Sequence, residues 1–244
     1  MQLTQGSRKG AVIVLRSWEQ LPAEMRCDEV RPYWEALSKR RGQLALKRCF
    51  DLIMAVILLV ILAIPMAIIA VFIKFDSRGP VFYRQDRVTT YGKRFRIHKF
   101  RTMVSNADKI GAAVTVGNDS RITRVGAKLR GLRLDELPQL FDVLNGNMSF
   151  VGTRPEAVKY VEKYRPEYNA TLLMPAGITS EASIRYKDED TLLNAADDVD
   201  KVYMEDVLPA KMKWNLESVQ RFSFVRDMLT MPRTVLAVLG KEYR

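Results

Sequence analysis

The sequence predicts an α+β fold that is mainly helical: a re-entrant membrane helix-hairpin, a cytoplasmic globular part with a small β-hairpin, and amphipathic interfacial helices. Three observations carry this prediction. Residues 52–73 form a run of 22 without a charge. Basic residues flank both ends, with Lys39, Arg40, Arg41, Lys47 and Arg48 before the run and Lys74 and Arg78 after it. Pro65 sits inside it.

As a helix, the run would reach about 33 Å, enough to cross a bilayer core. Lysine and arginine mark the cytoplasmic side of a membrane segment, and here both flanks carry that mark. Pro65 removes a backbone donor and clashes with the preceding turn, so it is expected to kink or break the helix. A segment that enters, bends and leaves on one side meets all three conditions. A spanning helix with a tolerated proline is the alternative. A buried core helix fits poorly, because no face of the run is polar.

The chain then divides into an N-terminal cytoplasmic extension (1–46), the hairpin (47–75) and a larger domain (76–244). Within the extension, residues 11–15 read as a short strand, too short for the apolar core of a signal peptide. Residues 22–47 read as a charged helix leading into the membrane. Beyond the hairpin, Gly79-Pro80 marks a turn, and Val81-Phe82-Tyr83 and Phe95-Arg96-Ile97-His98 read as two strands around a turn containing Gly92. Residues 106–120 are loop-like, and from Ile122 onward the pattern is helical with breaks at Gly131, Gly146 and Pro166. In the last segment, Phe224, Val225, Met228 and Leu229 fall at helical spacing among Arg221, Arg226 and Arg233. Such a helix either lies in the headgroup layer or packs on the protein's own core.

The formal net charge of +11 invites an anionic partner: nucleic acid, anionic lipid or a phosphorylated substrate. Nine lysines and arginines crowd residues 74–101 against Asp76 and Asp86, whereas residues 188–206 carry eight acids against Lys201 and read as solvated surface. Cys27 and Cys49, the only cysteines, offer neither a disulfide framework nor metal-ligand spacing.

The chemical centre of the sequence is Leu134-Asp135-Glu136-Leu137-Pro138-Gln139. Leu137, Leu140, Phe141 and Leu144 fall at i, i+3, i+4 and i+7, the buried face of a helix ending at Asn145-Gly146. Asp135 is then its N-cap, where backbone N–H groups and the helix dipole favour carboxylates and phosphate. An Asp-Glu pair is also simply a good helix start. The surroundings shift the balance: Arg130 and Arg133 lie just upstream, Lys99 and Arg101 follow a strand, and Arg154 precedes another helix. A carboxylate among several arginines is expected to stay ionised, which suits a nucleophile better than a proton donor. Thr153-Arg154-Pro155-Glu156 fits a capping box, and His98 reads as a strand surface residue rather than a general base.

These residues, taken with Lys47-Arg48-Cys49-Phe50-Asp51-Leu52, Gly79-Pro80-Val81-Phe82-Tyr83, Lys99-Phe100-Arg101-Thr102-Met103, Asp119-Ser120-Arg121-Ile122-Thr123 and Met148-Ser149-Phe150-Val151-Gly152-Thr153-Arg154-Pro155, resemble the monotopic phosphoglycosyl transferases, or bacterial sugar transferases, over roughly residues 46–240. The resemblance implies that Asp135 attacks the β-phosphate of a UDP-sugar to give a covalent phosphosugar and UMP. The phosphate of undecaprenyl phosphate then displaces the aspartate, initiating exopolysaccharide, capsule or glycoconjugate synthesis. It further implies that Glu136 helps hold Mg²⁺, that Lys99, Arg101, Arg130 and Arg154 bind substrate phosphates, and that the enzyme sits monotopically on the cytoplasmic face of the bacterial inner membrane, among its lipids. A homo-oligomer stays open. Two departures stand out: Thr153 replaces a usual second proline, and residues 175–183 (PAGITSEAS) replace the common Pro-Gly-Ile-Thr-Gly-Trp-Ala-Gln form, a segment implicated in substrate binding.

Two rival functions are a membrane-bound Mg²⁺-dependent phosphohydrolase, which uses acid pairs equally well, and a basic membrane-associated nucleic-acid-binding protein. The second finds no recognition signature in the chain, so no nucleic-acid partner is expected.

Overall fold

A computed structural model describes residues 15–105, 107, 119–186, 193, 196 and 198–238. The expected strand at 11–15, apart from Leu15, lies outside these residues, as does most of the loop-like stretch 106–120 and part of the acidic lobe 188–206. The fold is mainly helical α+β. In chain order its regular elements are α1 (Arg31–Ser38), α2 (Arg41–Asp76), β1 (Phe82–Val88), β2 (Arg94–Phe100), α3 (Arg124–Gly131) and α4 (Gln139–Leu144). There follow β3 (Met148–Val151), α5 (Val158–Val161), β4 (Ala176–Thr179), α6 (Glu181–Arg185), α7 (Val199–Val202), α8 (Leu208–Gln220) and α9 (Phe224–Val238).

The apolar run lies inside α2, whose 36 residues correspond to about 54 Å of helix. The helix continues through Pro65, so the expected break is not a loop. A proline deletes one ladder bond, and the apolar turns on either side sustain the rest. One face of α2 is buried at Ala55, Met66 and Ile73, while Ile53, Val60, Ile64, Ile68 and Phe75 are exposed on the others. Both ends are tied to the same globular body. At the start, Lys47 pairs with Asp227 at 2.7 Å, Arg48 Nη1 donates to the Val143 carbonyl at 2.7 Å, and Asp51 Oδ1 accepts from the Phe150 N–H at 3.2 Å. At the far end, Asp76 Oδ2 accepts from the Val125 N–H at 3.0 Å, and Arg101 Nη2 donates to the Ser77 carbonyl at 2.6 Å.

Strands β1 and β2 form the expected antiparallel hairpin, longer than predicted, with Phe82 opposite Phe100 and Arg87 opposite Phe95. Phe95 and Ile97 alternate inward, as a half-buried strand requires. The turn holds Tyr91 at φ 56°, a conformation that costs energy for a bulky residue. Packing holds it there: the ring is buried, and its hydroxyl accepts from the Arg16 N–H at 3.0 Å.

The stretch after Ile122 was expected to be helical between breaks at Gly131, Gly146 and Pro166, yet β3 and β4 pair in parallel, with Met148 opposite Ala176 and Val151 opposite Thr179. Each is four residues long, too short to register as a periodic pattern. The sheet needs Gly177, because a Cβ there would strike the Gly152 backbone.

The described part of the N-terminal extension is no appendage. Leu15, Leu21, Met25, Val30 and Leu37 share the largest core cluster with Tyr160, Leu172, Leu208 and Met212. A second cluster packs Ala55 of α2 against Ile97, Leu140, Met148 and Phe150. The third sets Met66 and Ile73 of α2 against Phe100 and Leu129, with Leu134 and Leu137 beside them. The apolar helix is therefore the floor on which the Asp135 segment rests.

Candidate active site

Asp135 and Glu136 lie in a single 3₁₀ turn, Leu134–Glu136, entered through Arg133 at φ 52°. The predicted long helix with Asp135 as its N-cap does not form. Pro138 has no N–H to return to Leu134, so the chain tightens into i→i+3 bonds, Leu137 N–H to the Leu134 carbonyl at 3.3 Å and Leu140 N–H to the Leu137 carbonyl at 3.1 Å. Helix α4 begins only at Gln139, six residues long. The shift in register leaves Leu140 buried and Phe141 exposed, against the predicted face.

Three segments converge on this turn. The end of β2 supplies Lys99, α3 supplies Arg130, and the loop after β3 supplies Arg154. Thr123 caps α3, its Oγ1 accepting from the Gly126 N–H at 3.0 Å. Gly126 lets α3 lie directly on the Thr102 carbonyl, a position that any Cβ would block, and so joins α3 to the chain leaving β2.

Glu136 is buried, and its Oε1 accepts from Lys99 Nζ at 3.0 Å and from Arg154 Nη2 at 2.7 Å. Burial alone would raise its pKa, but Arg154 and Lys99 outweigh burial and hold the carboxyl well below the usual range. Lys99 is pulled below the ordinary lysine value by burial, which Glu136 offsets only in part. Asp135 behaves oppositely. Burial raises it above the ordinary aspartate value, against the lowering effects of Lys99, Arg130 and Arg154 and with Glu136 adding to the rise. The expectation that the arginines dominate at Asp135 is thus reversed: desolvation wins there, and cations win at its neighbour. Adjacent carboxylates driven in opposite directions have separate tasks. Glu136 is a fixed anion, and Asp135 is the more basic oxygen and the better nucleophile.

Of the four basic residues singled out from sequence, Lys99, Arg130 and Arg154 face the acid pair and Arg101 does not. Arg101 is buried at the end of α2, where Nη2 donates to the Ser77 carbonyl at 2.6 Å and to Ser77 Oγ at 2.9 Å. The capping box at Thr153 is also absent. The Thr153 carbonyl accepts from Gly177 at 2.9 Å, and the next helix, α5, starts at Val158. His98 is no free surface residue, because Asp142 accepts from its N–H through Oδ2 at 2.8 Å and meets its Nδ1 through Oδ1 at 2.8 Å.

Behind Arg154 stands a group that sequence reasoning missed. Glu156 is buried, Lys211 Nζ lies 4.0 Å from it, and Arg87 donates to the Pro155 carbonyl at 3.3 Å. Glu156 sits two residues from Arg154, the one available signal, but Arg87 and Lys211 belong to no motif. Asp119 and Arg121 form a forked pair with contacts of 2.5–3.0 Å, and the Arg121 hydrogen bonds hold Asp119 below its ordinary value. Arg130 adds to that lowering, which links the pair to the site.

Glu136 Oε1 takes both cations. Among the described residues no cluster of three acidic, histidine or cysteine side chains is present. Two carboxylates without a third fit Mg²⁺, which is commonly bound by one or two carboxylates together with substrate phosphates and water.

Comparison with known proteins gives this geometry its context. The chain is 38% identical over 205 residues to the exopolysaccharide production protein PSS of Rhizobium leguminosarum bv. phaseoli, covering 81% of this chain and 97% of that one. It is 34% identical over 197 residues to UDP-N-acetylgalactosamine-undecaprenyl-phosphate N-acetylgalactosaminephosphotransferase of Aeromonas hydrophila, covering 80% of this chain and 44% of the relative. With UDP-glucose:undecaprenyl-phosphate glucose-1-phosphate transferase of Escherichia coli K12 it shares 42% identity over 143 residues, 57% of this chain and 31% of the other. The chain thus spans less than half the length of the latter two. Residues 42–241 match the family described as bacterial sugar transferase, which takes in α2 and every residue of the acid-pair cluster, and the chain belongs to that family.

Proposed function

We propose that this chain transfers a sugar 1-phosphate from a UDP-sugar to undecaprenyl phosphate, as the initiating step of a surface polysaccharide or glycoconjugate. The observation that carries the reading is the split acid pair: a basic, half-buried Asp135 beside a Glu136 held ionised by Lys99 and Arg154. A carboxylate oxygen of Asp135 attacks the sugar-bearing phosphorus, the anhydride P–O bond breaks, and UMP leaves with the electron pair. An oxygen of the acceptor phosphate then attacks the same phosphorus and releases the carboxylate. Two displacements replace one difficult transfer. Lys99, Arg130 and Arg154 spread the charge on the equatorial oxygens. Glu136, with Asp135 beside it, would help hold Mg²⁺, which would offset diphosphate charge and stabilise departing UMP.

The same reading makes α2 a re-entrant anchor and the enzyme monotopic on the cytoplasmic face of the inner membrane. Support comes from the two ends of α2, both bonded to one globular body, whereas a helix crossing about 30 Å of hydrocarbon would part them. The exposed apolar face of α9, with Val225, Leu229 and Val235, suits an interfacial position.

Incubating the full-length protein with UDP-sugar alone tests the chemistry. The expected result is a mass increase of one phosphosugar on the peptide containing Asp135, lost in Asp135→Asn together with turnover. An absence of adduct under every trapping condition, with UMP appearing only when both substrates are present, would refute the covalent step. Release of free phosphate into water would instead favour a phosphohydrolase.

A further inference from the structure

A cavity of about 260 Å³ opens between α8, α9 and the ends of β3 and β4. Lys99, Asp135, Glu136 and Arg154 do not line it. Its polar wall includes Ser180, Ser218 and Asn215. Asn215 is 5% exposed, and among the described residues its amide nitrogen reaches only the Met212 sulfur, at 4.0 Å. A buried amide with so weak a partner is costly unless something in the cavity completes its bonding.

Three arginines line the same space: Arg221, Arg226 and Arg233. Arg226 and Arg233 lie two turns apart on one side of α9, with Leu229 and Thr230 between them also lining the cavity. The acids nearby are already engaged. Asp227 pairs with Lys47 at 2.7 Å, Glu181 with Arg185 at 2.9 Å, and Glu217 with Arg221 at 3.0 Å. Arg226 donates to the Arg221 carbonyl at 3.4 Å and also acts on Asp227, which Lys47 already pairs, while Arg233 makes no ion pair among the described residues. The rim therefore carries net positive charge, with three arginines against Glu181 and Asp227 in the lining.

Its place in the fold says what brings the anion. Helix α9 abuts the first turns of α2 through Lys47–Asp227, through Phe50 against Phe224 at 5.8 Å, and through the Phe224 N–H donating to Gln43 Oε1 at 3.0 Å. The uncharged run of α2 begins at Leu52, a turn beyond. Val225, Leu229 and Val235 leave apolar surface exposed beside the arginines. A phosphate at the guanidinium groups, hydroxyls toward Asn215 and Ser218, and chains along the apolar residues satisfy all three surfaces together.

We propose that this cavity is a binding site for the phosphate headgroup of an anionic lipid, separate from the acid-pair site. The test is native mass spectrometry of the delipidated full-length protein in neutral detergent, titrated with phosphatidylglycerol or with phosphatidylcholine of the same chains. The wild type should retain one phosphatidylglycerol in preference to phosphatidylcholine. The Arg226→Ala/Arg233→Ala variant should bind it about tenfold more weakly, equivalent to about 1.4 kcal/mol. The Arg226→Lys/Arg233→Lys variant should recover part of the loss, and Asn215→Leu should weaken retention independently of charge. Polyprenyl phosphate and inorganic phosphate form two further arms. Displacement by polyprenyl phosphate would identify that lipid as an occupant, whereas displacement by inorganic phosphate at equal concentration would overturn the lipid assignment. Equal retention of the two phospholipids, or a double-alanine variant matching wild type, would refute the site. Asp135→Asn should bind as wild type, so a failure of the proposed transfer chemistry and a failure of this site read out separately.

Discussion

Replacing Arg154 with alanine perturbs the charge balance at the acid pair most directly. It removes the 2.7 Å bond to Glu136 Oε1 and leaves Lys99 at 3.0 Å, with Arg133 adding to it through charge. Breaking a fully buried ion pair costs about 3–5 kcal/mol. Here the arginine side chain is 32% exposed and Lys99 stays in place, so about 1–2 kcal/mol is expected. At about 2–4 °C per kcal/mol for a chain of this size, that is a drop of about 2–8 °C in the unfolding temperature. Thermal unfolding of the detergent-solubilised full chain at several pH values would measure it. The sign follows from Glu136. Its depressed folded pKa contributes stability above the unfolded value and loses it as pH falls through the folded one, and removing Arg154 raises the folded value. The gap between wild type and variant should therefore be constant near neutrality and narrow in acid. Arg154→Lys should restore most of the loss. A variant that unfolds with wild type at pH 7, or a gap that widens in acid, would refute the assignment of Arg154 as the counter-charge of Glu136.

Three further outcomes are expected. UMP release should fall on the acid side with an apparent pKa above that of an ordinary aspartate, and Lys99→Met, by removing a cation that lowers Asp135, should move this limb to higher pH; an unmoved limb would mean that a group other than Asp135 titrates. Activity should vanish with chelator and return with Mg²⁺, and Glu136→Gln should lose most turnover while remaining folded; full activity in excess chelator would end the metal role. With Cys27 and Cys49 replaced, single cysteines at Gly10 and at Glu242 should both be shielded from a membrane-impermeant thiol reagent in intact cells, and labelling of either from outside would establish a spanning helix.

What the sequence made legible follows the range of the interactions involved. The charge-free run and the β1–β2 hairpin were readable because each is written in a contiguous motif, and Lys99, Arg130 and Arg154 were singled out because each lies in or beside a short motif of its own. Features set by distant contacts were not. The turn at Asp135 looked like a helix start because Leu137, Leu140, Phe141 and Leu144 have helical spacing, but Pro138 breaks the ladder and Leu134 and Leu137 are drawn onto Met66 and Ile73 of α2. The pKa of Asp135 turned on burial, which local charge counting omits. Arg101 shares a motif with Lys99, yet it lies one residue beyond the end of β2, and the two side chains reach different neighbours, Ser77 and Glu136.

The misreading of the turn at Asp135 has its physical source on the underside of α2. A membrane anchor is ordinarily legible as a separate module, because its faces meet lipid. In this chain one face of the same helix is core: Ala55 packs under β2 and β3, and Met66 and Ile73 pack under the acid-pair turn. The exposed face can be altered among apolar residues with little effect on the site, because Ile53, Val60, Ile64, Ile68 and Phe75 are exposed rather than part of the clusters beneath it. Met66 and Ile73 cannot, since a cavity beneath Leu134 and Leu137 would free the turn that aims Asp135. Apolar exposure and support of the acid-pair turn thus divide between two faces of one helix, and the helix cannot shift relative to the body without moving Asp135.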